Sequence, residues 1–165
     1  MIQRIQSLYL LIVAILSVVG LTGTLAAFNK NGNVVAEFTN FLFSKTDKSI
    51  ELPQPTGPWA LGIILIIVAA ISLTTIFFFN NRRLQIRLII FNIILLIAYA
   101  AGFAFFAWIY TNGINEFYNE NVELQMKLAA VYPIVSIILS FLAFKGVRKD
   151  EKLVRSLDRI RPSRK

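Results

Sequence analysis

Four stretches of this chain carry no charged residue for long enough to cross a hydrocarbon core as a helix, and this patterning limits the fold more than any other feature. The first runs over 5–29, between Arg4 and Lys30, and predicts a span at 5–27. The second follows Pro53, Pro55 and Pro58, with Trp59 where an interfacial aromatic belongs, and predicts a span at 59–79. The third is apolar as far as Tyr110, with Trp108 near its end, and predicts a span at 88–110. The fourth, 128–144, lies between Lys127 and Lys145, whose stems let the ammonium groups reach the interface, and Pro133 falls in its first turns. A cleaved secretory signal competes for the first stretch, since Arg4 precedes it and Thr24-Leu25-Ala26-Ala27 ends in small residues. The anchor reading is preferred because the apolar run is longer than most signal cores and three further spans need an orientation.

Composition agrees with this. The chain is 56% hydrophobic and 16% charged with fourteen Phe, far more apolar surface than one small water-soluble core of 165 residues would bury. Cysteine and histidine are both absent. Disulfides, thiolate catalysis, iron–sulfur clusters and the usual haem ligands are therefore excluded, and no cofactor is expected.

Basic residues give the expected orientation, because Lys and Arg near span ends are retained in the cytoplasm. Arg4, the set Arg82, Arg83 and Arg87, and the nine basic residues from Lys145 onward make thirteen on one side, against four on the other: Lys30, Lys45, Lys48 and Lys127. Both termini are thus expected in the cytoplasm. Retention also accounts for the formal charge of +8 without nucleic acid.

The expected fold class is an all-α membrane protein: one four-helix bundle over 1–165, with a small β-hairpin in the first outer loop, 28–58. Asn31-Gly32 is a favoured type I′ turn pair, and Val34, Val35, Phe38, Phe41, Leu42 and Phe43 follow as a β-prone run. The phenylalanines fit equally a cap on the bundle or a contact with headgroups. In the second outer loop Glu116, Glu120 and Glu123 stand at helical spacing, and the fourth helix is expected to begin early there. The tail, 145–165, reads as a short amphipathic helix with Asp150 and Glu151 at its start, Leu153, Val154, Leu157 and Ile160 on one face, and a stop near Pro162. It suits an anionic membrane surface, a partner protein, or a role in topology alone.

No Asp, Glu, Lys, Arg or His lies inside the four spans, whereas pumps, ion-coupled transporters and intramembrane enzymes place ionisable groups there. The polar candidates are neutral. Ser72, Thr75, Ser136 and Ser140 suit close helix packing or a ligand contact, and Asn92 needs a partner for its amide. At the basic end Arg82, Arg83 and Arg87, with Arg155, Arg159 and Arg161 of the tail, are candidates for a lipid headgroup or a partner protein.

The opening Met1-Ile2-Gln3-Arg4-Ile5-Gln6-Ser7-Leu8-Tyr9-Leu10 and the ending Lys149-Asp150-Glu151-Lys152-Leu153-Val154-Arg155-Ser156-Leu157-Asp158-Arg159-Ile160-Arg161 resemble an uncharacterised four-span family of Bacteroidota, a domain of unknown function. The resemblance covers the whole chain. It implies a bacterial inner membrane protein and supplies no catalytic residues. Together these readings lead to the expectation of a non-catalytic accessory or scaffold protein, docking through the outer loop or the basic tail, with membrane lipids, a membrane protein or a second copy as partners. The alternative is a binder, carrier or sensor of a hydrophobic or lipid ligand, with a Phe-rich groove and a headgroup held by the inner arginines.

Overall fold

A computed structural model describes residues 3–46, 58–78, 81–119 and 122–160. Four helices dominate it, α1 (Gln3–Thr22), α2 (Trp59–Phe77), α3 (Arg82–Tyr118) and α4 (Tyr132–Ile160), each long and apolar enough to cross a membrane. Helix α1 packs on α2 and α4, and α3 packs on the same two, so the helices form a ring with α1 and α3 on its diagonal. The bundle has an apolar outer surface, and a few neutral polar residues sit within its apolar core. Ser17, Ser72, Thr75, Asn92, Ser136 and Ser140 are buried, while Ile15, Val18, Ile66, Ile94, Phe105 and Ile138 face outward. That distribution suits a hydrocarbon surround, where apolar side chains cost nothing on the outside and polar atoms need partners within.

The chain is not all-α. Strands β1 (Thr24–Lys30), β2 (Asn33–Thr39), β3 (Phe43–Lys45) and β4 (Glu123–Met126) form an antiparallel sheet in the order β3-β2-β1-β4. The expected hairpin is its centre: Asn31 and Gly32 both have positive φ, 51° and 82°, as a type I′ turn requires. Two expectations are corrected by its flanks. The first span stops at Thr22 rather than residue 27, because the residues from Thr24 onward form β1, which pairs with β2 along its length and over 26–29 with β4 as well. Gly23 makes the turn feasible, since a Cβ there would lie 2.6 Å from that of Ala129. Glu123, expected at the start of the fourth helix, begins β4 instead, and the fourth helix starts at Tyr132 after a short 3₁₀ turn, Leu128–Ala130. The segments 47–57 and 120–121 lie outside the described residues.

Helix α3 has 37 residues, about 55 Å of rise, against roughly 30 Å of hydrocarbon. Gly102 sits beside Leu61 in the first turn of α2, so α3 runs on about 20 Å beyond the level of Trp59. The extension was expected to be loop from Thr111. It stays helical because Phe106, Tyr110, Ile114 and Tyr118, at i and i+4 spacing, back the sheet. Phe38 stacks on Phe103 at 5.8 Å and meets Tyr110 edge-on at 5.2 Å, and Phe43 stacks on Tyr110 at 4.2 Å. Lys30 lies over the Tyr118 ring. Thus β1 climbs alongside α3, from Ala26, paired with Phe38, to Lys30 beside Tyr118, and the sheet stands upright on the bundle. Asn119, in the left-handed region, ends the helix, and Asn115 Oδ1 accepts the Val122 amide to hold the following turn.

The tail is corrected as well. Residues 145–160 continue α4 without a break, so no separate helix starts at Asp150. Helix propagation has nothing to stop it there: Gly146 is the weakest helix former in the segment, and it packs against the Gln6 side chain. The expected stop near Pro162 lies outside the described residues.

Candidate functional site

Three polar constellations are built into the fold, at three depths. Midway through the bundle, between an apolar cluster of Val13, Val68 and Leu96 and another of Leu10, Ile89, Ala143 and Val147, lies a neutral layer. Here Asn92 Nδ2 donates to Ser72 Oγ at 2.9 Å, joining α3 to α2. Thr75 donates to the Ile71 carbonyl of its own helix. Ser140 is fully buried, and its Oγ and Asn92 Oδ1 have no hydrogen-bond partner. Ser136 lies nearer the cap, beside Ser17, Gly20 and Tyr132, in a cleft without room for a water-sized sphere. Of the five residues read from the sequence as helix or ligand contacts, the structure pairs Asn92 with Ser72 and buries all five. Asn92→Leu is expected to cost about 1 kcal/mol, since bonds between membrane helices are worth that order. Thermal melting in detergent measures it, and a melting point equal to the wild type would mean that the bond contributes nothing.

The second constellation joins the sheet to the bundle and was not foreseen. Asn40, fully buried just after β2, donates from Nδ2 to the Gly20 carbonyl of α1 at 2.7 Å and accepts the Tyr99 hydroxyl of α3 at 2.7 Å. Its own carbonyl accepts the Gly62 amide of α2 at 3.2 Å. One residue therefore binds three helices. Gly62 leaves room for the Phe41 ring, which a Cβ would strike. The available signal was a lone asparagine among Phe38, Phe41 and Phe43, where a loop residue facing water would need no aromatic neighbours.

The third lies at the basic end. Gln6 Nε2 donates to Asp150 Oδ2 at 2.8 Å, and Arg82 Nη1 donates to the Asp150 carbonyl at 3.1 Å. These bonds tie the first turns of α1 and α3 to α4. Arg82 is thus engaged in the fold, whereas Arg83 and Arg87 are exposed. Arg155 and Arg159 belong to the last turns of α4, and Arg161 lies outside the described residues. Neither Gln6 nor Asp150 was read from the sequence as a contact, although Gln6 falls inside the expected first span and Asp150 at the expected start of the tail helix.

Chemically, the three sets supply neutral hydrogen bonds inside the bundle, a rigid joint under the sheet, and cations at the opposite rim. No curated protein and no solved structure matches the chain. A family model described as Domain of unknown function (DUF4293) matches residues 2–160, the whole of the structure from α1 to α4, and the chain belongs to that family.

Proposed function

We propose that this chain is a non-catalytic accessory or scaffold protein of a bacterial inner membrane, crossing it four times with both termini in the cytoplasm and docking a partner on its outer cap. The observation that carries this reading is the extension of α3, which holds an ordered sheet upright above the bundle. Such bracing supports a contact surface, because a sheet packed on a rigid helix is pre-organised for binding. The orientation rests on Arg82, Arg83, Arg87 and the basic start of the tail gathering at one end of the bundle, with the sheet at the other.

Among the described residues, β4 is an edge strand of the cap, suited to an added strand. Lys127 donates its amide to the Leu25 carbonyl, so by antiparallel alternation Leu124 and Met126 direct their N–H and C=O groups away from β1. An extended segment of a partner would pair there. On the cytoplasmic side, residues 151–160 extend α4 about 15 Å past Asp150 and offer a second contact.

The test is affinity purification of the full chain from its native membrane in mild detergent, identifying proteins and lipids in the same eluate. A stoichiometric protein that is lost with Met126→Pro is the expected result, because that proline removes an outward N–H and leaves the β1–β4 ladder intact. Loss only on deleting 151–165 moves the docking surface to the tail. A chain that emerges without a protein partner overturns the scaffold reading.

A further inference from the structure

Helices α3 and α4 pack side by side at the basic end, and the groove that two packed helices leave along the outside of their contact lies here beside several cations, which gives it a ligand. Ile89 of α3 packs with Ala143 and Val147 of α4, and Arg82 reaches the Asp150 carbonyl, which sets the two antiparallel helices in register. Arg83, Arg87, Lys145 and Arg148 then fall within a slab about 8 Å deep. Gln85, Ile89 and Asn92 mark the inward side of α3, and Ala143, Val147 and Asp150 that of α4. At about 100° per residue, Arg83 stands about 150° and Arg148 about 130° round from those inward sides, so both lie on the outer face of the helix pair. Above them the groove walls are Ile90, Ile94 and Phe141, all exposed, and the half-buried Phe144.

The cations are not arranged as a solvated surface would be. The Arg148 guanidinium lies 5.8 Å from the centre of the Phe144 ring, and Lys145 Nζ lies 4.9 Å from that of Phe141. Each positive group is folded back onto the groove wall. Cations outnumber the carboxylates Asp150 and Glu151 at this rim, and Asp150 faces inward to Gln6. A cationic mouth continuous with an exposed apolar wall fits an amphiphile: an anion at the mouth and hydrocarbon along the wall.

We infer that the α3–α4 groove binds an anionic phospholipid, with Arg83 and Arg148 holding its phosphate and the acyl chains lying along Ile90, Ile94 and Phe141. The inference is independent of the partner proposed for the cap. It is tested with the full chain reconstituted in bilayer discs of equal phosphatidylglycerol and phosphatidylcholine, then released into mild detergent for native mass spectrometry. Phosphatidylglycerol should be retained in preference, and an Arg83→Gln, Arg148→Gln double variant should retain about tenfold less. A Lys127→Gln control at the other end should match the wild type, and Arg83→Lys with Arg148→Lys should keep the preference. Raising the salt should weaken retention by the wild-type chain, a readout that needs no variant. Equal retention of the two lipids, insensitivity to salt, or the same loss in the Lys127 control overturns the inference.

Discussion

Phe38→Ala is expected to lower the stability of the cap by about 3–5 kcal/mol, the range found when a fully buried phenylalanine is truncated. Phe38 has no exposed surface and touches Phe103, Phe106 and Tyr110 at once, so its loss leaves a void lined by rings that cannot all collapse into it. Trp108 lies on the stretch of α3 that carries Phe103, Phe106 and Tyr110, and Trp59 opens α2, so intrinsic fluorescence during denaturant titration reports the transition. The expected trace has an early cap transition ahead of the loss of helix. A single transition at the wild-type midpoint would show that the aromatic cluster carries little of the cap's stability.

Asn40→Ala should cost about 3 kcal/mol by a different route. It leaves the Tyr99 hydroxyl without its acceptor and removes a donor from the Gly20 carbonyl, each buried where water does not compensate. Tyr99→Phe removes one of the same two bonds and should cost about 1 kcal/mol. The double variant should be less harmful than the sum of the two, with the difference measuring the Asn40–Tyr99 bond itself. Additive effects in thermal melts would mean that the hydroxyl and the amide act separately.

The bundle was legible in the sequence because hydrocarbon imposes a simple rule: a charge-free stretch of about twenty residues must satisfy its own backbone, and a helix does so within itself. The Asn31-Gly32 turn was legible for an equally local reason, since few residue pairs adopt two consecutive left-handed conformations. What stayed hidden depends on distant pairing. Residues 23–27 continue an apolar run and read as helix, yet their neighbours in β4 lie about a hundred residues later, and no local pattern announces that contact. The helical spacing of Glu116, Glu120 and Glu123 failed for the same reason, since the ladder to β1 claimed Glu123. Asn92 was legible as an amide in need of a partner, but its bond to Ser72 depended on how α2 and α3 pack. Asn40 and Asp150 bind through contacts between separate elements, so periodicity does not mark them, and only the aromatic neighbours of Asn40 in the sequence gave a sign of its burial.

The upright stance of the sheet also restricts how copies of this protein can associate. Two identical edge strands that pair antiparallel are related by a two-fold axis perpendicular to their sheet. With the sheet parallel to the long axis of α3, that axis runs across the helix bundle, in the bilayer plane of the proposed arrangement, and turns the second copy upside down. Two copies inserted the same way therefore cannot join their β4 edges into one continuous antiparallel sheet. Under the proposed insertion that edge is left to a strand of a different molecule, so a shared insertion direction guards it against antiparallel self-pairing.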